Sequence, residues 1–325
     1  MINEPIDEEL LPGDRLRSFH PTRPGEMLNG RFKTITKLGY GVGSPVWLAE
    51  NIVFENSADK SAPRYVAVKI AALDLDAGWE AGVSKFIANA EPSHVGLDFI
   101  RTHIDIKVDN IMMTIEGEAV KHQMKSPQPK HIRIQDGRET YLSQGNFGPL
   151  QGSRLLPKLA DFNIAFPVLA NGNGHLSAIQ SHRFRAPEVI LGCPWSYSVE
   201  IWNLGLLMWN LMEGIGLFDR PAGEDGEYNA HVHLAQMVSL LGEPDEECMK
   251  RERFFRNYRL EKPVVNSRGK ECNAMTEFWV GPFFNDENDI VRTDLVERKR
   301  LEDTVTELVG HEKDVFLDFA SGMLQ

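Results

Sequence analysis

The chain has 325 residues, 42% apolar and 25% charged, with 47 acidic against 35 basic side chains. That is enough chain for two lobes around one cleft, in a composition ordinary for a soluble globular protein. The net charge of −12 argues against nucleic-acid binding; it fits plain solubility or a basic partner.

Three scattered cysteines, Cys193, Cys248 and Cys272, make neither a disulfide framework nor a C-x-x-C metal pair, so a reducing compartment is expected. Residues 1–31 are acidic and Pro-rich; Pro5, Pro12, Pro21 and Pro24 break any helix, and an irregular lead-in without a secretory leader is expected. No apolar run is long enough to span a bilayer.

From Phe32 the pattern turns β-rich, over Phe32–Leu38. Gly39-Tyr40-Gly41-Val42-Gly43-Ser44-Pro45-Val46-Trp47 then fits the first parts of G-x-G-x-x-G-x-V, with Ser44 at the third glycine position. Small residues in a strand–turn–strand let backbone N–H groups approach phosphates, although hairpins with glycines are common. Tyr65-Val66-Ala67-Val68-Lys69-Ile70 reads as a third strand. A lysine ending an apolar strand calls for an anionic partner, and V-A-V-K after a Gly-rich hairpin points to ATP phosphates and a helix glutamate. The helix expected over 77–90 carries Glu80, which is either that partner or a solvated side chain.

His103-Ile104-Asp105-Ile106-Lys107-Val108-Asp109-Asn110 reads as H-x-D-x-K-x-x-N. Phosphoryl transfer needs such a set: a carboxylate to accept a hydroxyl proton, a cation beside the moving phosphate, and an amide oxygen on a metal ion. Taken alone, the stretch also fits a helix cap or a buried polar turn. A polar segment to about residue 157 reads as a surface insertion with one strand-like piece, Thr140-Tyr141-Leu142. Leu159-Ala160-Asp161-Phe162-Asn163 supplies a D-F-x metal aspartate, and Arg185-Ala186-Pro187-Glu188 closes the loop that starts there.

Val199–Met212 is apolar nearly all round, so a helix buried at a lobe centre is expected. Asn229–Leu241 is amphipathic and stops at Gly242-Glu243-Pro244. Residues 251–290 look loop-rich, and Glu312–Met323 forms a last helix with Val315, Phe316, Phe319 and Met323 on one face.

The ordered set of Gly-rich turn, V-A-V-K, H-x-D-x-K-x-x-N, D-F-x, A-P-E and apolar W-helix resembles a eukaryotic protein kinase. Within that group the chain is similar to the serine/arginine-rich-protein kinases in their fungal form. The likeness rests on Ser44, Val46-Trp47, His-x-Asp-Ile-Lys, Asp136-Gly137-Arg138…Tyr141-Leu142-Ser143, and Ile179-Gln180 ahead of Ala186-Pro187-Glu188.

The resemblance implies an α+β, two-lobe kinase-like fold, with a small β-rich N-lobe and a larger, mainly helical C-lobe. Residues 1–31 would be an extension, 32–102 an incomplete N-lobe, and 103–325 the C-lobe with an insertion at about 115–157. It implies an ATP- and Mg2+-dependent serine/threonine kinase acting on Arg-rich proteins. Gly39, Gly41, Ser44 and Val46 would cover the nucleotide, and Lys69 would hold its phosphates and pair with Glu80. Asp105 would be the base, Lys107 the neutralising cation, and Asn110 and Asp161 the metal ligands. A monomer, cytoplasmic or nuclear, binding neither nucleic acid nor membrane, is expected.

Ile104 stands where most kinases carry the arginine that pairs with an activation-loop phosphate, so phosphorylation of Ser177 or Ser181 should have little purchase. The acidic stretch Glu224-Asp225-Gly226-Glu227 suits an Arg-rich substrate, or is a solvated loop.

The chain also departs from the kinase pattern. Only 33 residues separate Lys69 from His103, where a helix, two strands, a hinge and two more helices need roughly 70. The last small-lobe strands, the adenine-contacting hinge and the helix beneath the catalytic loop have no sequence to come from. An open sheet edge and an uncovered part of the large-lobe core are the expected results. Asn163 replaces the metal-loop glycine, and with the sequence stopping at Gln325, Glu188 is expected to be buried without a cation, at a cost of roughly 3–5 kcal/mol. A catalytically defective relic that binds a partner at most is the alternative reading.

Overall fold

The computed structural model describes residues 1–13, 15–53, 64–75, 78, 82, 111–113, 128–145, 157–159, 166, 174–218 and 221–324. The chain divides into two compact units, residues 1–86 with 113–158, and residues 87–112 with 159–325.

The first unit is built on a four-stranded sheet of β1 (Met27–Leu28), β2 (Phe32–Tyr40), β3 (Pro45–Asn51) and β4 (Tyr65–Lys69), in that order. The pairs are antiparallel, and β2 slips register between Thr34 and Thr36 and between Lys37 and Gly39. Strand β3 buries Trp47, Leu48 and Ala49, whereas β2 buries Thr34, Thr36 and Lys37. Thr34 and Lys37 can be buried there because they find partners; the Thr34 hydroxyl donates to the Arg23 carbonyl at 2.6 Å. Among the described strands β4 lies at an edge of the sheet.

The described residues of 1–31 contain no α-helix, but they are less irregular than their prolines indicate. They form two 3-10 turns, Asp7–Leu10, which packs on β2, and Arg15–Ser18, which packs on the first turn. Leu16, Phe19 and Ala72 form a small apolar cluster.

The segment expected to be an insertion on the larger lobe carries a short antiparallel hairpin, β6 (Lys130–Ile132) with β7 (Glu139–Tyr141). Its contacts group it with the first unit. Tyr141 meets Trp47 edge-on at 5.7 Å, and Ile2 bridges to His131. On either side of this segment, β5 (Ile111–Met113) pairs with β8 (Pro157–Leu159).

The second unit is mainly helical. It contains α1 (Pro187–Ile190), α2 (Ser198–Glu213), α3 (Ala230–Leu241), α4 (Glu246–Phe255), α5 (Met275–Phe278) and α6 (Gly310–Ser321). A two-stranded ribbon, β9 (Val264–Val265) with β10 (Glu271–Cys272), lies between α4 and α5. Helix α3 is capped by the Asn229 side chain, which accepts from the backbone N–H groups of His231 and Val232.

Helix α2 places Val199, Trp202, Leu206 and Trp209 in the core, with Trp202 stacked on Phe218 at 5.8 Å. Gly205 is needed where α2 meets the chain end: a Cβ there would lie 3.0 Å from the Leu324 side chain. The helix is not buried all round, because Ile201 and Leu211 face solvent. In α6 it is Phe316 and Ala320 that face inward, while Val315 and Phe319 are exposed, so the expected apolar face was rotated. Helix α4 falls partly in the stretch expected to be loop-rich.

Candidate active site

In the first unit, sheet register places Gly39 opposite Val46, and Val46 opposite Lys69. Three expected nucleotide-contacting residues, far apart in sequence, therefore form one cross-strand row. At about 4.8 Å per strand, the two ends of that row are roughly 10 Å apart.

Beyond the row the chain reverses, with the Gly41 N–H donating to the Ser44 carbonyl at 2.9 Å. The reversal rests on residues 72–75: the Ala72 N–H donates to the Gly43 carbonyl at 2.9 Å, and a Cβ on Gly43 would stand 2.5 Å from Leu75. The Arg15 guanidinium donates to the Val42 carbonyl at 3.0 Å and pairs with Asp74, whose carboxyl it holds below the usual range. Ser44 is buried.

At Gly43 that Cβ would displace only the end of the exposed Leu75 side chain. Gly39 and Gly41 are freer still: a Cβ at Gly39 would meet nothing within 4 Å, and at Gly41 only the Ser44 carbonyl at 4.0 Å. Neither has a positive φ. The open space above them suits a polyphosphate approaching the backbone. The expected third strand is β4, and Lys69 is exposed at its end.

Glu80, Asp105, Lys107, Asn110 and Asp161 lie outside the described residues, as does the helix expected over 77–90 apart from Gly78 and Gly82, both helical. Flanking strands are described: β5 starts at the residue after Asn110, and its partner β8 ends two residues before Asp161. Among the described residues no group of three or more His, Cys, Asp or Glu is placed to hold a metal.

In the second unit, the segment leading to Ala186-Pro187-Glu188 is fixed by buried polar contacts. Gln180 has left-handed backbone (φ 66), a strained state that its side chain secures. Its amide donates to the Val199 carbonyl at 3.1 Å and to Asn203 Oδ1 at 2.9 Å, and its oxygen accepts from the Ala186 N–H at 2.8 Å. Arg185 donates to the Ile179 and Gln180 carbonyls, its guanidinium lying 4.5 Å from the Tyr228 ring and 4.2 Å from that of Trp279.

His182 stacks on Tyr228 at 4.6 Å, and burial together with Arg185 lowers its pKa. His233 is fully buried against the same tyrosine; burial takes it down to about 3, so it is neutral. Sequence reading missed this aromatic and histidine cluster, whose members are distant in the chain. Glu188 is not stranded: it is half-buried and accepts from the Ser198 hydroxyl at 3.0 Å, so the expected penalty of an unpaired buried carboxylate does not arise.

A sheet-bearing unit with this glycine turn and lysine, followed by a helical unit with a fixed A-P-E segment, is the layout of a protein kinase. The chain matches the protein kinase domain family over residues 100–277, more than half its length, and it belongs to that family. It is 23% identical to a serine/threonine protein kinase of Aspergillus fumigatus, across 98% of this chain and 86% of the relative.

It is 26% identical to the serine/threonine-protein kinase AFC3 of Arabidopsis thaliana, over 68% of this chain and 46% of that protein. With the serine/threonine-protein kinase SKY1 of Saccharomyces cerevisiae it shares 30% identity over 46% of this chain and 17% of that one. A crystal structure of a kinase domain matches with a TM-score of 0.55 at 15% identity, covering 95% of this chain and 94% of the other, a likeness of fold. The chain is thus a protein serine/threonine kinase by family, and enzymes of this family use ATP with Mg2+. Among the described residues, no helix is long and apolar enough to cross a membrane.

Proposed function

We propose that this kinase transfers the γ-phosphoryl group of ATP to serine or threonine in Arg-rich proteins, with each expected residue in the role its motif gives it. The reading is carried by the cross-strand row Gly39–Val46–Lys69, which ends in the turn whose two unneeded glycines leave room for phosphates.

Gly39, Gly41 and Ser44 cover the phosphates, Val46 lies beneath the nucleotide, and Lys69 holds the α- and β-phosphates while paired with Glu80. Asp105 accepts the substrate hydroxyl proton and Lys107 neutralises the moving phosphoryl group. Asn110 and Asp161 hold Mg2+, which when bound screens phosphate charge. The chemistry is mostly positioning and charge stabilisation. The A-P-E segment needs no phosphate, since Gln180 and the Arg185 guanidinium already hold it through buried hydrogen bonds to backbone groups. The similarity to SKY1 over part of the chain and the acidic stretch 224–227 support an Arg-rich, Arg/Ser-containing substrate, on a monomeric enzyme of the cytoplasm or nucleus.

A second reading, a catalytically defective kinase that serves as a binding module, is favoured by one observation. The alignment with the Aspergillus protein runs over 383 positions against a chain of 325 residues, so at least 58 positions face no residue of this chain. The shortfall between Lys69 and His103, roughly 70 residues needed against 33 present, would take up about 37 of them.

Thermal shift with Mg-ATP and phosphate transfer to an Arg-Ser peptide separate the two. An active kinase is stabilised by the nucleotide and loses transfer by about 100-fold or more in Asp105→Ala. Absence of both signals in the wild type establishes the second reading, and transfer that survives Asp105→Ala removes the assigned base.

A further inference from the structure

Lys37 is a fully buried lysine on β2, two residues ahead of Gly39. Its ammonium group donates to Asp7 Oδ2 at 2.9 Å, to Glu8 Oε2, and to the Tyr141 carbonyl at 3.0 Å. Asp7 and Glu8 come from the N-terminal 3-10 turn and Tyr141 from β7, so one cation joins three distant parts of the first unit.

The backbone of Lys37 is joined as well. Its N–H donates to Gln128 Oε1 at 3.1 Å, while its carbonyl accepts from the Gln128 amide at 3.2 Å and the Gln144 N–H at 2.9 Å. Strand β1 pairs only with residues 32 and 33, so Gln128 and Gln144 close the edge of β2 that β1 leaves open.

Asp7 holds left-handed backbone (φ 53) while accepting from the Ser143 N–H at 2.7 Å, a strained state retained for these contacts. His131 of β6 pairs with Glu9 at 2.8 Å. The same N-terminal segment reaches the tip of the glycine turn, through Arg15 to the Val42 carbonyl. The turn is therefore gripped ahead of its first glycine and at its apex, at a point where β2 slips register between Lys37 and Gly39.

We propose that Lys37 is a positioning residue: clamped by Asp7, Glu8 and the Tyr141 carbonyl, it fixes the 39–44 turn over the nucleotide, with residues 7–15 and the 130–141 hairpin as an internal brace. This rests on the reading of that turn as the phosphate cover. Uncompensated burial of two carboxylates around one lysine is a poor route to stability alone. A turn of small residues gains more from being held, since loose strands above a polyphosphate cost binding.

The test compares wild type, Lys37→Met, Asp7→Asn with Glu8→Gln, and the triple variant combining all three, with Glu50→Gln on the neighbouring strand as control. Amide hydrogen exchange at residues 39–46 and the KM and kcat for ATP are measured. Lys37→Met and the double variant are expected to exchange about tenfold faster across the turn and to raise the ATP KM about tenfold, with kcat within about threefold. The triple variant buries no charge; it is expected to regain thermal stability while keeping fast exchange and a high KM.

If KM recovers together with stability, or if folded Lys37→Met leaves exchange unchanged, Lys37 is structural only and the proposal falls. If Lys37→Met does not fold, the double and triple variants decide; if none of the three folds, the triad is a folding element and the assignment is overturned. Should the wild type bind no ATP, the phosphate-cover reading fails instead, and the exchange rates alone decide whether the brace exists.

Discussion

Among the described residues, the largest fully buried side chain of the first unit is a lysine, Lys37, while that of the second is a tryptophan, Trp209. Around Lys37 stand two carboxylates and a carbonyl; around Trp209 stand Val305, Phe316 and Ala320, with the Phe316 ring at 5.2 Å. The first unit has a small sheet and short turns, too little apolar surface to close on itself, and it fastens its distant segments through charge. The second has long helices that bury apolar stripes. Removing one side chain should therefore be repairable in the first unit by cancelling charge, and irreparable in the second.

That contrast can be broken directly. Trp209→Ala should lower the stability of the second unit by about 3–5 kcal/mol, a cavity no charge change restores. Lys37→Met should cost the first unit a similar amount, about 3–5 kcal/mol, by leaving buried carboxylates unpaired, and adding Asp7→Asn and Glu8→Gln should recover most of it. Urea unfolding monitored separately for each unit reads both; equal failure of rescue in the two units would erase the distinction.

A buried ion pair in the second unit sharpens the rule. Glu252 in α4 is fully buried and is held by both ends of the Arg256 guanidinium, at 2.9 and 2.8 Å. Arg256→Met should destabilise by about 3 kcal/mol, and Glu252→Gln in the same chain should return part of that in a denaturant titration.

A smaller effect follows from pH. His233 has an ordinary pKa of 6.5 in the unfolded chain and about 3 when folded, because burial disfavours its charge. The unfolded chain then binds the extra proton, so this contribution is complete above pH 6.5 and is lost as pH falls toward 3. The slope is at most about 1.4 kcal/mol per pH unit for one group. His182 and His231 shift in the same direction. Melting temperatures between pH 7.5 and 5 should fall, and less so in His233→Gln.

The smallest expected effect is that of phosphatase. Ser177 buries its hydroxyl oxygen while its carbonyl accepts the Trp195 indole N–H at 2.8 Å, so the segment is held there without a phosphate. Phosphatase treatment of the active enzyme should change its rate by less than about twofold; its loss would show that an activation-loop phosphate is needed after all.

Much of the second unit was legible because its signals are local. Helix α3 announces itself through Asn229 at one end and Gly242 at the other, and α2 through sixteen residues with Trp202 and Trp209 one face apart. Helix α4 was missed because it is polar, although Asp245 as cap, Glu246 and Glu247 in the first turn and Arg253 in the last were all there to be read. The glycine turn and Lys69 were found by motif, but their alignment in one row depends on strand register, which the letters do not state. Nothing in the sequence ties Lys37 to Asp7 or Tyr141. Its neighbours say only that a strand is present, and the partners are 30 and 104 residues away.

The closing of β2 by Gln128 also has a consequence for biogenesis. The strand is synthesised 91 residues before the side chain that occupies its bare edge, and the intervening chain leaves the first unit for the second before it comes back. On the ribosome the nascent sheet waits, half-sealed, until residue 144 has emerged. A pairing of such sequence separation is slow to form, and in that interval the unsealed strand can recruit a neighbour's chain. Translation speed across residues 40–144, and chaperone supply during it, should govern the yield of soluble protein more than the stability of the finished molecule.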